Sequence, residues 1–196
     1  MSLVVAYVDS RSAAIGGDRR SITFAGSSAR LEEELYSGSI VTDEDLLRRA
    51  SELGTVVLVS DGRDKVWKDG DLLVGEVTEL SIESQRRRRV YATPGGYLLV
   101  DIDGKDVAIR NRGKSALIVL GNRFTRSLAA ERLRGARASR RLIGEILALA
   151  SLRTASVSPD YRTFHTETRS PDPEGLLSGA LRRDCKDNGW KVCGLE

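Results

Sequence analysis

The chain has 196 residues, 40% of them apolar and 30% charged, with a formal net charge of +3 at neutral pH. That composition describes one globular domain with a full core and excludes disorder throughout. No run approaches the ~20 apolar residues of a membrane span, and the start lacks the basic region and cleavage site of a signal peptide, so a cytoplasmic location is expected. Cys185 and Cys193 are the two cysteines and His165 is the one histidine. These leave no disulfide framework or zinc site, and a Ser-His-Asp triad only with His165 as its base; between β-formers, His165 reads instead as a strand residue.

In chain order, residues 2–8 form an apolar run that reads as a buried strand, Asp9-Ser10-Arg11-Ser12 as a hairpin turn, and Ala13-Ala14-Ile15 as the start of the return strand. Gly16, Gly17 and Asp18 then fall beside the start of the first strand. The glycines are expected to leave backbone exposed there, and Asp18 to offer a carboxylate to a nearby cation. Residues 21–24 continue as a third strand. Leu31 and Leu35, spaced i,i+4 among carboxylates, predict a helix at 29–36. A second helix starts on a capping-box pattern, with Thr42 as N-cap and Asp45 at the third helical position, and stops at Gly54.

Residues 55–107 read as β, with strands around Val56-Val57-Leu58-Val59, Leu72-Leu73-Val74, Val90-Tyr91-Ala92 and Tyr97-Leu98-Leu99-Val100, parted by Asp-Gly and Pro-Gly-Gly turns. Residues 114–120 form a further strand ending at Gly121-Asn122, and two helices follow at 124–134 and 139–152, the second with a wide apolar stripe. Residues 154–168 resume β character, Ser170-Pro171-Asp172-Pro173 breaks it, and the last stretch holds a short helix before a tail. Strands, paired helices and strands again predict an α+β fold in four layers, αββα, with two stacked sheets between helices.

The chemistry is concentrated at the beginning. With Met1 removed, Ser2 carries a hydroxyl and a free α-amine whose ordinary pKa of ~7.7–8.0 lets it take a proton near neutral pH. One residue then supplies nucleophile and base. Two arginine-rich stretches, Arg86-Arg87-Arg88-Arg89 and the group Arg132, Arg134, Arg137, Arg140 and Arg141, have few aromatic residues around them. They read as a solvated basic face balanced by acidic stretches such as Glu32-Glu33-Glu34, in preference to a nucleic-acid site.

Ser2, the apolar strand behind it, the hairpin, and Asp18 sixteen residues on within Gly17-Asp18-Arg19-Arg20 resemble the start of the proteasome β-subunit family, in which an N-terminal Thr and such an Asp belong to the active site. Longer stretches are similar to the connectases of methanogenic archaea: Glu33-Glu34-Leu35-Tyr36-Ser37-Gly38-Ser39-Ile40-Val41-Thr42-Asp43-Glu44, Leu73-Val74-Gly75-Glu76-Val77, Arg87-Arg88-Arg89-Val90-Tyr91-Ala92, Gly121-Asn122-Arg123-Phe124-Thr125 and Thr154-Ala155-Ser156-Val157-Ser158. The resemblance runs from Ser2 to about Phe164. It implies the N-terminal-nucleophile, proteasome β-subunit type of αββα fold, with residues 1–169 as the catalytic domain and 170–196 as a C-terminal extension.

It also implies an ATP-independent protein ligase or transpeptidase acting on a Lys-Asp-Pro-Gly-Ala-type sequence, such as one carried by the tetrahydromethanopterin methyltransferase. No metal or organic cofactor is called for, and a monomer is expected. By resemblance Ser2 is the nucleophile and Asp18 the proteasome-type Asp. The proteasome has a Lys about sixteen residues after that Asp, and no Lys lies between Met1 and Asp64; Arg30 is the nearest replacement. Asn122 is placed to contact the amine or an oxyanion, with backbone N–H groups at Gly16-Gly17 or Gly121-Asn122 as further oxyanion donors. Thr154 and Ser158 fall near the proteasome's later Asp and Ser. The alternatives are a proteasome-like peptidase that hydrolyses through the same Ser2, and a non-catalytic module that keeps Met1 and binds polyanions or an acidic protein through its arginines.

Overall fold

The computed structural model describes residues 3–80 and 85–192. Ser2 and Cys193 therefore lie outside the described residues. The first two strands, β1 (Val4–Val8) and β2 (Ala13–Asp18), form the expected hairpin. Its turn is made by Asp9, whose carboxylate accepts the backbone N–H groups of Arg11 at 2.6 Å and Ser12 at 2.7 Å. A ribbon and two helices follow: β3 (Ser21–Ala25), α1 (Ala29–Tyr36), α2 (Asp43–Glu52) and β4 (Val56–Ser60), with β3 and β4 paired only to each other among the described residues. Thr42 caps α2 by accepting the Asp45 N–H at 3.1 Å.

Next come β5 (Val66–Asp69), β6 (Leu72–Leu80), β7 (Gln85–Thr93), β8 (Gly96–Asp103), β9 (Asp106–Gly113) and β10 (Ala116–Leu120). The elements after them are α3 (Arg123–Leu133), α4 (Arg140–Ser151), β11 (Tyr161–Thr166), α5 (Pro173–Asn188) and β12 (Lys191–Val192). One sheet has the order β10-β1-β2-β11 and the other β12-β9-β8-β7-β6-β5.

Three apolar clusters set the layering. Val4, Ala6, Val8, Ala13 and Ile15 face Leu73, Val77, Val90 and Ala92 between the sheets. Leu3, Val5 and Ala14, on the opposite face of the same strands, meet Ile143, Ile146 and Leu147 of α4. Leu72, Val74 and Tyr91, on the outer face of the larger sheet, meet Leu177, Ala180 and Leu181 of α5. Period-two alternation therefore gives each strand one face toward the other sheet and one toward a helix. The αββα sandwich is the layering expected from the sequence. A fourth cluster, of Leu31, Leu35, Leu46, Ala50 and Ala155, seats α1 and α2 against the β3–β4 ribbon.

Three local expectations change. The β character at 154–168 divides into a buried turn through Thr154 and Ser158 and a strand only at β11. β7 starts at Gln85 and takes in all four arginines, where opposite charges face each other across the strands, Glu76 with Arg89, Arg88 with Asp101 and Arg86 with Asp103, and β9 runs past Val107 to Gly113. The final helix is four turns long rather than short: α5 starts on an Asp172 cap, ends at Gly189 in the left-handed region, and forms the outer layer of the larger sheet.

Candidate active site

Gly16 and Gly17 are buried strand residues paired on both sides, with β1 and with β11. They do not leave backbone exposed, and an interior ladder position makes this pair no oxyanion turn. Gly75 shows what small residues do here: a Cβ on it would lie 2.6 Å from Ile15 Cδ1 and 2.9 Å from Val4 Cγ1. The larger sheet thereby closes onto the first residues of β1.

That approach places Asp18 against the beginning of the chain. Asp18 is fully buried. Its Oδ2 accepts the backbone N–H of Leu3 at 2.7 Å, and its own N–H donates to the Leu3 carbonyl at 3.1 Å. Its Oδ1 accepts the Arg20 N–H at 2.8 Å, the Lys65 ammonium at 2.6 Å and, at 3.5 Å, the Ser158 N–H. Lys65 is 4% exposed. Burial pushes its pKa down, and the charge and hydrogen bond of Asp18 pull it back up.

Lys65 replaces Arg30 as the cation beside Asp18. Arg30 is 70% exposed on α1 and pairs with Glu34 at 3.1 Å on its own helix. The lysine comes 47 residues after Asp18 because the β3–α1–α2–β4 excursion is inserted between them. Lys65 is the first lysine in the chain and stands immediately before β5, but no local pattern in the sequence ties it to Asp18.

Asn122 is buried at the N-cap of α3, its side-chain oxygen accepting the Thr125 N–H at 2.8 Å. That bond accounts for its conformation. Thr154 and Ser158 are both fully buried. Thr154 is bonded to Ser156 Oγ at 2.9 Å, and Ser158 Oγ accepts the Asp160 N–H at 3.0 Å while its own N–H reaches Asp18. The structure therefore brings Asp18 and Ser158 together with Lys65, and leaves Arg30 outside the group.

Arg20 braces this region. Its guanidinium donates to Asp61 at 2.9 and 3.0 Å, to Asp43 at the start of α2 at 3.1 Å, and to the Ala155 carbonyl at 2.7 Å. One side chain thus ties the inserted helices, the loop before Lys65 and the Ser158 turn to the end of β2. A planar fork with five donors can join three elements in this way, and lysine cannot.

The four-layer sandwich thus has a first strand that begins at a buried Asp–Lys pair. The chain belongs to the connectase family: residues 1–186 match the model of the connectase MJ0548-like N-terminal domain. A search of the curated proteins finds no match. Among solved structures the chain is similar to the crystal structure of eukaryotic HslV from Trypanosoma brucei, with a TM-score of 0.48 at 9% identity over 85% of this chain and 99% of that one.

Proposed function

We propose that this chain is a protein ligase that works by transpeptidation in the cytoplasm, with Ser2, freed by removal of Met1, as nucleophile. One observation carries the reading. The N–H of Leu3 rests on one oxygen of Asp18 while the other oxygen holds a buried Lys65, so the first strand begins at a fixed charge pair.

Ser2 Oγ attacks a substrate carbonyl and gives its proton to the α-amine of the same residue. The peptide C–N bond breaks, the leaving amine takes up that proton, and an ester to Ser2 remains. Lys65 and Asp18 are positioning residues: a buried ammonium nearby favours the neutral α-amine that can serve as base. The N–H groups around Gly121-Asn122, next to the β10 residue opposite Val4, serve as oxyanion donors, each worth about 3 kcal/mol in related chemistry. The ester then passes its acyl group to the Ser2 amine, and an amide has replaced an amide. Free energy changes little, so ligation proceeds without ATP, and the reverse steps with a new incoming amine complete the exchange. The substrate we propose is a Lys-Asp-Pro-Gly-Ala-type segment, such as that of the methyltransferase, and the enzyme works as a monomer.

Intact mass after incubation with a fusion carrying that sequence tests the reading. A mass increase equal to the amino-terminal fragment, absent in Ser2→Ala, followed by a joined product when a second amine-bearing chain is added, is the expected result. Cleavage without adduct or joined product would assign a hydrolysing peptidase. Neither adduct nor cleavage, with Ser2 confirmed as the free terminus, would remove this substrate from the proposal.

A further inference from the structure

The fold separates the two arginine-rich stretches of the sequence. The first is paired within the larger sheet. Arg86 donates to Asp103 at 3.2 Å, Arg88 to both oxygens of Asp101 at 2.6 and 3.0 Å, and Arg89 to Glu76 at 2.8 Å, while the Arg87 guanidinium lies 4.6 Å from the centre of the Trp190 ring. The second stretch lacks such partners. Arg132, Arg134, Arg137, Arg140 and Arg141 stand within ten residues around the α3–α4 connection, all of them exposed, and Glu131 and Glu145 are the only acidic residues between positions 131 and 145. Glu145 is shared by two of the five, Arg141 at 2.9 Å and Arg132 at 3.3 Å. Arg140 donates to a neutral group, the Thr163 hydroxyl, at 3.0 Å. Arg134 and Arg137 have no ion pair among the described residues. Five guanidinium groups against two carboxylates leave a local excess of positive charge at this surface.

The residues among the arginines decide which polyanion fits. Leu133 is buried, and the others are Gly135, Ala136, Ala138 and Ser139, so the loop has no long apolar side chain of the kind that membrane-surface segments insert. An aromatic ring comes instead from β11. Tyr161 is 36% exposed and packs on Gly144 of α4, where an added Cβ would stand 3.5 Å from its hydroxyl. Gly144 is one turn along α4 from Arg140 and Arg141, and Thr163, which Arg140 holds, is two residues from Tyr161 on the same face of its strand. Guanidinium groups for phosphates beside an exposed ring for a base are the combination that holds single-stranded nucleic acid.

This surface lies away from the reacting centre. α3 starts just after Leu120, the partner of Val4, and its 11 residues carry the chain about 16 Å onward. Arg137 accordingly acts electrostatically on the hydroxyl of Tyr7, near the hairpin turn that closes the other end of β1. We propose that the α3–α4 loop, together with Tyr161, binds single-stranded nucleic acid through its phosphates, at a surface separate from the Asp18–Lys65 pair and independent of the ligase reading.

The test titrates the full chain into fluorescein-labelled RNA and DNA single strands of about 12 nucleotides, within the usual site size, with anisotropy as readout. With about four phosphates contacted, affinity should fall about fiftyfold between about 50 and 200 mM salt. The double variant Arg134→Gln/Arg137→Gln should bind about tenfold more weakly at the higher salt and show about half the salt dependence. Tyr161→Leu should weaken binding about tenfold with the salt dependence unchanged, because stacking releases no counterions, and Tyr161→Phe should restore it. Arg86→Gln, in the paired stretch, should stay within about twofold of the wild type. Equal thermal midpoints show that these exposed changes leave the fold intact.

A preference for RNA over DNA, or the reverse, supports the inference and identifies the source of the strand. No binding of either strand at the lower salt overturns it, and so does binding that the Arg134→Gln/Arg137→Gln change leaves untouched. Polyglutamate or phosphatidylserine vesicles held as tightly as the strands, without regard to Tyr161, would make the surface one for acidic proteins or membranes and equally overturn it. Adduct formation is followed in the same variants. A wild-type rate in the double variant is expected, and a lost rate would place the loop in the reacting machinery and overturn the separation of the two surfaces. The ligase reading itself stands or falls on the wild-type adduct, whatever the strands do.

Discussion

Two buried charge clusters sit on either side of a single backbone hydrogen bond, from the Glu76 N–H to the Lys65 carbonyl at 2.8 Å. On one side Lys65 has one carboxylate, Asp18, and burial lowers its pKa. On the other, Arg89 is nearly buried beneath α5, bonded to Glu76 at 2.8 Å and to Asp184, with Trp67 and Trp190 centred 5.3 and 5.0 Å from its guanidinium. Burial again opposes the charge, yet Glu76 and its other neighbours raise the Arg89 pKa. Tyr91 donates to Asp184 at 2.6 Å, and burial pushes its pKa up. The two clusters use different cations for a physical reason. A lysine with one partner in a dry site has its charge opposed by burial, which lowers its pKa, and an arginine with two partners stays charged. The first arrangement suits a reacting centre, and the second fixes α5 on its sheet.

The largest effect expected from breaking this comparison is at Lys65. Lys65→Ala should lower the rate of adduct formation by about 10²-fold or more and destabilise the fold by about 3–5 kcal/mol, because Asp18 is left as an uncompensated buried charge. Lys65→Arg keeps the charge, and single-turnover mass spectrometry should still show a large loss, since the guanidinium neither fits the site nor leaves the charge balance unchanged.

The pH dependence has a definite sign. The folded pKa of Lys65 is lower than its value of 10.5 outside the fold. Between those two values the unfolded chain binds more protons, so the Lys65 contribution to stability rises with pH through that window. Chemical denaturation of wild type against Lys65→Met should show this rise only in the wild type.

Arg89→Met comes next and separates stability from chemistry. Removing the guanidinium leaves Glu76 and Asp184 facing each other beneath α5, at an expected cost of about 3–5 kcal/mol. The rate per folded molecule, measured below the lowered thermal midpoint, should stay near that of the wild type. A rate that falls with Arg89→Met at full folding would show the two clusters to be coupled through Glu76 and Lys65.

How legible these regions were in the sequence differs along the same line. The hairpin, the capped α2, the apolar stripe of α4 and the sandwich follow from local periodicity, because Leu3, Val5 and Ala14 face a helix while Val4, Ala6 and Ile15 face a sheet. Asp18 was legible from its place opposite the first strand. Lys65 was not, because no local pattern reports how far an inserted ribbon and two helices displace a residue that returns to the same spot. The Arg89 cluster was hidden similarly: its aromatic partners Trp67 and Trp190 lie far from the arginines in sequence, and only the sheet and α5 bring them together.

Asn122 gives a smaller and diagnostic effect. Its side-chain oxygen is occupied as the cap of α3, so Asn122→Ala should cost about 1 kcal/mol by thermal unfolding, and Asn122→Ser or Asn122→Asp much less. If the cap is its whole contribution, Asn122→Ser retains the wild-type rate. A rate lost in both Asn122→Ser and Asn122→Asp, with the cap preserved, would mean that the side-chain N–H₂ acts on the reacting group.

Arg30 should show the least. Its ion pair with Glu34 is exposed and within one helix, where such pairs contribute about 0.3–0.5 kcal/mol. Glu34 keeps a stronger partner when Arg30 is removed, since Arg49 donates to it at 2.6 and 2.7 Å from the neighbouring helix, and the Arg49 hydrogen bond is the main reason its pKa falls to about 2. Arg30→Ala should therefore change stability by no more than about 0.5 kcal/mol and leave the adduct rate unchanged. Were the rate to fall in Arg30→Ala and hold in Lys65→Ala, the cation serving Ser2 would have to reach it from α1, and the assignment of Lys65 to the reacting centre would be wrong.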